Sequence, residues 1–243
     1  MKAKKKKRLI IIYAFTLVFI FIFFFIPLPY YSLFPGELIN LGEIVTTSNN
    51  DSSEHFFSLT SNVYENPYSH RVGLTANSFK VNLIVFIIGK ISREVELVEI
   101  PKSYENISSN QIKEYQYNLL NESLLISMQL AFEYLKVNES EVDIAFGEYA
   151  GSSGSLMLAL EIINQLGDED LIMGRKIAGT GDLNITGEVI EVGGIHQKII
   201  TAEKNKVDIM IIPEPDLDEV PDDTEIQIIV VTNLTQAIYL LTK

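Results

Sequence analysis

From Leu9 to Ile26 the chain holds only apolar residues and Thr16, with no charge. About 20 such residues form a helix long enough to cross the hydrocarbon core of a bilayer, and a helix satisfies its backbone polar groups internally. Lys2, Lys4, Lys5, Lys6, Lys7 and Arg8 come directly before it. The positive-inside rule keeps such a cluster on the cytoplasmic side and sends the chain beyond Pro27 across the membrane. A cleaved signal peptide is the competing reading. Its apolar core usually runs only ~7–15 residues and ends at a small-x-small site, and no such site comes after this run. The expected organisation is a cytoplasmic basic tail (1–8), a transmembrane anchor (9–29) with Tyr30 and Tyr31 at the outer interface, a tether (30–54) and a folded domain (55–243).

The 243 residues carry 19 basic and 32 acidic side chains, a formal net charge of -13. Because six of the basic residues precede the first acid, the rest of the chain sets 13 against 32. Nucleic-acid binding relies on Lys and Arg displacing counterions from phosphates, so an acidic body argues against that partner. The absence of cysteine excludes disulfides, Cys-ligated zinc and thiol nucleophiles together.

After the polar stretch Thr46–Glu54, Phe56–Tyr64 and Phe79–Ile88 read as strands, rich in β-branched and aromatic residues. Between Gln111 and Leu135, the positions Leu120, Leu124, Met128, Ala131 and Leu135 step by three or four, as on one face of a helix. Glu141–Phe146 reads as a short strand and Leu156–Leu166 as a helix. Lys176–Asp182 and Glu188–Val192 read as strands joined around Asn184–Gly187. Then come helix Ile195–Asn205, strands Val207–Ile212 and Glu225–Val231, and helix Leu234–Leu241 with Thr232 or Asn233 as N-cap. Strands interleaved with helices predict an α/β layer fold, α+β in its arrangement of layers.

The segment Gly147–Ser155 places small residues between a strand and a helix. Such a junction aims backbone N–H groups at an anion, either a phosphate or the oxyanion formed when a serine attacks a carbonyl. A P-loop needs Gly-Lys-Ser/Thr, and here Ser155-Leu156 comes after Gly154, so the phosphate-binding lysine is missing. A plain strand-to-helix turn is the alternative with no chemistry.

GSSGSLMLALEI, AGTGDLNITGEVIEVGGIHQK and VDIMIIPE, in that order, resemble the proteolytic domain of Lon-type peptidases. The likeness is carried mainly by residues 139–243 and extends weakly to NESLLISMQLAFEYL. It implies a Lon proteolytic-domain fold and a Ser-Lys dyad. The serine of the family's Pro-Ser-Ala-Gly turn falls on Ser153, the lysine of its Gly-Gly helix start on Lys198, and a supporting strand threonine on Thr180. Backbone N–H groups at Ser153 and Gly154 would form the oxyanion hole. Three of the four turn positions differ from the family pattern. Gly154 would loosen the turn, Ser155 could crowd the oxyanion site, and Ser152 or Ser155 becomes the nucleophile if the register slips.

The chemistry needs a neutral lysine, because only then does it take the proton that keeps a serine hydroxyl weakly nucleophilic. Burial and the positive end of a helix both disfavour the ammonium, provided that the acids nearest in sequence, Glu191 and Glu203, point elsewhere. Of the other candidate bases, His196 lies two residues from Lys198 and so faces another way on the helix. A solvated surface role is expected for it, and His55 and His70 sit in polar, loop-like contexts. No metal-ligand spacing and no Walker A pattern appear, so neither cofactor, metal nor ATP is expected.

Within the resemblance, the anchor and Pro35-Gly36 match the membrane-anchored, ATPase-free branch. A PDZ module of roughly 80–100 residues, usual in that branch, finds no room. The reading is thus an ATP-independent serine endopeptidase acting on unfolded or exposed polypeptide outside the cytoplasm, with self-association open. The alternative is a membrane-tethered binding or scaffold protein that kept the fold and lost turnover, for instance with a dyad plugged by Ser155, Glu148 or Tyr149.

Overall fold

The structure is a computed structural model that describes residues 2–47, 57–64, 81–100, 109–138, 142–145 and 151–243. His55, His70, Glu148, Tyr149 and the end of the expected tether lie outside these residues. Two compact units are present, Met1–Phe34 with Tyr64–Ser109, and Pro35–Val63 with Asn110–Lys243.

In the first unit, α1 (Lys2–Phe25) contains the apolar run, and Lys5–Phe25 is long and apolar enough to cross a membrane, with none of it buried. The hydroxyl of Thr16 donates to Ile12 O at 2.9 Å, so even the one polar side chain in the run is satisfied within the helix. Beyond it, β1 (Tyr30–Asn40) begins; its first residues pair antiparallel with β4 (Glu96–Glu99), Tyr30 opposite Glu99 and Leu33 opposite Glu96.

The strand expected over Phe79–Ile88 is not formed, since α2 occupies Leu83–Ile91. Asn82 accepts from Val85 N at 2.9 Å, a side-chain cap that satisfies one orphan donor of the first turn. An unbroken apolar run carries no periodic signal to separate a buried strand from a helix, and β-branched composition tipped the expectation the wrong way.

The expected tether is also revised. Residues 30–47 form β1, a 3-10 turn at Leu41–Glu43 and β2 (Val45–Thr47), and Leu33, Ile39, Leu41, Ile44 and Val45 are buried. β2 pairs antiparallel with β5 (Val142–Ile144). Folded structure therefore begins before residue 55.

The second unit is built on a parallel set of strands in the order β10 (Gln227–Val231), β9 (Ile209–Pro213), β6 (Ile177–Gly179) and β3 (Ser58–Tyr64). Alternate residues of a strand point to opposite faces. Ile177, Ile209, Ile211 and Val231 accordingly pack with α3 (Ser109–Leu135), α4 (Ser155–Leu166) and α6 (Leu234–Leu241). Ala178, Met210 and Ile212 face the other way, onto α5 (Ile195–Lys204). Apolar residues on both faces are what a parallel sheet covered by helices requires. The α/β class is confirmed, and so is the α3 stripe: Leu120 and Ala131 are buried, and Leu124, Met128 and Leu135 pack against the same core. Asn233 caps α6 by accepting from Gln236 N at 2.8 Å. A short hairpin of β7 (Asp182–Leu183) and β8 (Val189–Ile190) comes after the end of β6.

Candidate active site

The turn that opens α4 is stitched to the end of β6. Gly181 N and Thr180 Oγ1 both donate to Ser153 O, at 2.8 and 3.0 Å, and Leu156 N donates to Gly181 O at 3.2 Å. A side chain at 154 would begin 2.9 Å from Leu59 Cδ2. Glycine there lets β3 approach the turn closely; it does not loosen it, as the sequence suggested.

The three serines of the turn have different fates. Ser152 Oγ donates to Asp182 Oδ2 at 2.7 Å. Ser155 Oγ, fully buried, donates to Asp182 Oδ1 at 3.0 Å and accepts from Leu183 N at 2.6 Å. Asp182 thus immobilises both, and Ser155 neither plugs the site nor offers a free hydroxyl. Ser153 is half-buried, and its hydroxyl makes no hydrogen bond among the described residues. Nor do the N–H groups of Ser153 and Gly154, which precede the first turn of α4.

Lys198 lies in the first turn of α5 and is 3% exposed. Its amine donates to Thr180 Oγ1 at 2.8 Å. A threonine hydroxyl has a single proton, and Thr180 spends it on Ser153 O. Thr180 is therefore an acceptor toward Lys198, and the lysine amine stands two hydrogen-bond lengths from the Ser153 carbonyl oxygen. No hydrogen bond joins Lys198 Nζ directly to Ser153 Oγ among the described residues. Burial lowers the Lys198 pKa to about 8, against the opposing pull of Asp216 and Glu219.

Those two acids escaped the sequence reading. They lie on the 3-10 turn Glu214–Glu219 that comes after β9, three residues apart, where side chains of a 3-10 turn eclipse. Asp216 is 3% exposed and accepts from Val192 N at 2.9 Å. Burial raises the pKa of both carboxyls, and the N–H of Ile195, the first residue of α5, partly offsets the rise at Glu219. Gly194, the N-cap of α5, has no side chain to offer, so the 3-10 turn supplies the carboxylates from a distance in sequence. The acids suspected from sequence sit otherwise: Glu191 is exposed, and Glu203 accepts from Glu225 N at 3.0 Å. His196 is not the solvated side chain expected. It is half-buried, and its Nε2 is buried without a hydrogen-bond partner among the described residues.

Residues 126–242 match the Lon protease (S16) C-terminal proteolytic domain. The chain is 29% identical over 155 residues to an archaeal Lon protease of Halobacterium salinarum, covering 62% of this chain and 20% of that protein. To the archaeal Lon protease of Archaeoglobus fulgidus it is 32% identical over 110 residues (42% and 17%), and to the Lon protease of Clostridioides difficile 31% over 98 residues (38% and 12%). It spans about a fifth or less of the length of these relatives. The matched region takes in the last third of α3 and every strand and helix from β5 to α6, and with it Ser153, Thr180 and Lys198; residues 126–242 belong to the family of Lon protease C-terminal proteolytic domains.

Proposed function

We propose that this chain is an ATP-independent serine endopeptidase of the Lon type, anchored by α1 with its N-terminus in the cytoplasm and its proteolytic part outside. Its substrates are unfolded or exposed polypeptide segments. The observation that carries the reading is the link from Lys198 through Thr180 to Ser153, with the neighbouring serines tied to Asp182.

Thr180 holds the amine by accepting one of its protons, which leaves the lone pair of a neutral Lys198 available. With a pKa of about 8, on the order of a tenth of the lysine is neutral at pH 7. That fraction takes the Oγ proton as Ser153 attacks the scissile carbonyl. Negative charge then develops beside the N–H groups of Ser153 and Gly154, which have no acceptor among the described residues, and the α4 dipole favours it there. The resulting ammonium gives its proton to the leaving amine, and Lys198 next deprotonates the water that hydrolyses the acyl-enzyme. The oxygen acylated is Ser153 Oγ throughout.

One observation favours the second reading, a binding protein without turnover: Ser153 Oγ and Lys198 Nζ are not hydrogen-bonded to each other. Catalytic hydrogen bonds are often long before substrate arrives and tighten in the working complex, so that gap weighs little. The deciding experiment is casein hydrolysis by the full chain in vesicles, with Ser153→Ala and Lys198→Ala as controls. Turnover abolished by both substitutions supports the peptidase; wild-type protein that binds casein without cleaving it supports the binding protein.

A further inference from the structure

Helix α2 plays no part in the peptidase chemistry, and its outer surface is unusual. Ile84, Ile87, Ile88 and Ile91 keep the spacing of one helical face, and Ile87, Ile88 and Ile91 are 41, 52 and 81% exposed. A helix at a protein–water boundary normally turns polar residues outward. This one has an aliphatic stripe there. Rotation cannot hide the stripe, because the opposite face is already committed: Val85 is buried, and Gly89 packs so tightly on β4 that a Cβ would meet Leu97 Cγ at 2.7 Å.

The position of α2 identifies what covers it. Asn82, its N-cap, donates from Nδ2 to Phe24 O at 3.3 Å in the last turn of α1, and Leu28 N donates to Val81 O at 2.8 Å. The start of α2 is thus fastened to the end of the apolar helix. Nine residues make a helix of about 13 Å, too short to cross a bilayer. Lys90 borders the isoleucine stripe with its amine 5.6 Å from the centroid of the Phe86 ring, and Tyr30 meets the same ring at a tilt with centroids 5.0 Å apart. A long cationic side chain and a tyrosine beside an apolar stripe match the composition of a membrane–water boundary.

We propose that α2 is a second membrane contact, lying in the interface beside the exit of α1 with its isoleucine stripe among the acyl chains and Lys90 at headgroup level. The inference rests on reading α1 as an anchor. It gives the first unit two contacts with the bilayer in place of one.

The absence of native cysteine makes the test direct. Single cysteines replace Phe19, Ile88, Ile91 or Ile185 in the full chain, carry a fluorophore, and are reconstituted in phosphatidylcholine–phosphatidylglycerol vesicles containing acyl-chain nitroxide lipids. Ile185, 68% exposed on the β7–β8 hairpin, is the solvent reference. Labels at 88 and 91 should be quenched several-fold more than at 185, as at 19. Labels at 88 and 91 that respond like 185 overturn the proposal, and so do labels shielded from both nitroxide lipid and aqueous iodide, which would place a protein on the stripe. A quenched position 19 confines that failure to α2, whereas an unquenched one overturns the anchor as well. Ile91 is the last residue of the helix, so position 91 decides the matter if substitution at 88 disturbs the fold.

Discussion

Helices α4 and α5 both begin at a glycine that provides no side-chain cap, yet their first turns are completed in opposite ways. At α5, Asp216 accepts from the nearby Val192 N and the Glu219 carboxyl is favoured by the N–H of Ile195, so carboxylates already occupy the positive end. At α4 the N–H groups of Ser153 and Gly154 face no acceptor among the described residues. A helix N-terminus attracts negative charge, and an unfilled one reserves that attraction for a charge that arrives later. On the mechanism proposed above, the filled end would accommodate the ammonium that Lys198 becomes after taking a proton, and the open end the oxyanion. The glycines differ as well: Gly194 adopts φ 72°, which penalises a side chain, whereas Gly154 has φ -100° and is small because Leu59 lies against it.

The largest expected effect comes from removing the reacting groups at either end. Ser153→Ala or Lys198→Ala should lower kcat on casein by at least about 10³-fold with the circular dichroism spectrum unchanged, and the double variant should be little worse than either alone. Additive losses would show that the two residues do not act as a unit.

Two turns beyond Gly154, Glu161 is wholly buried on α4. It accepts from Phe57 N at 2.9 Å, and burial raises its pKa to about 7 from 4.5. The folded protein therefore holds a proton that the unfolded chain has released between these values, and stability falls as pH rises through that window. Glu161→Gln should remove the slope and leave the variant about 2–3 kcal/mol more stable relative to wild type at pH 8 than at pH 4, by denaturant titration. Parallel pH curves for the two proteins would mean that Glu161 stays ionised in the fold.

Ser155→Ala should cost about 1–2 kcal/mol, because it strands Leu183 N and half of the Asp182 carboxylate, while a fluorophosphonate should still phosphonylate Ser153 Oγ with loss of fluoride. Labelling at position 152 in that variant would move the nucleophile within the turn.

The smallest effect tests the filled end. Asp216→Asn keeps an acceptor for Val192 N but removes a negative charge that holds the Lys198 pKa up toward about 8. The ascending limb of the kcat/KM profile, where Lys198 loses its proton, should move to lower pH by up to about one unit. A uniform loss of activity with an unmoved limb would assign Asp216 a purely structural role.

Much of this site was legible in the chain itself. Ser153, Thr180 and Lys198 were picked out by resemblance, from two of the three short blocks, and the structure links them through the carbonyl oxygen of Ser153. The α3 stripe was legible because its polar and apolar residues alternate with helical period. Helix α2 was not, because a run such as LIVFII has no polar residues to mark a face, and its cap, Asn82, is a local cue that β-branched composition outweighed. The strand over residues 30–40 was assigned to a tether, although it continues through Pro35-Gly36.

Resemblance to the Lon-type family pointed to Ser153 and Lys198, and the sequence by itself determined the apolar segment able to cross a membrane, the acidic body and the interleaving of strands with helices. These depend on composition and on periodicities of two and 3.6 residues, which neighbours along the chain express. Only the tertiary structure decided that Asp182 claims Ser152 and Ser155, that Thr180 gives its one proton to Ser153, and that Asp216 and Glu219 reach the start of α5. Hydrogen-bond direction, burial and the field at a helix end arise between residues brought together from distant parts of the chain, and no local pattern records them.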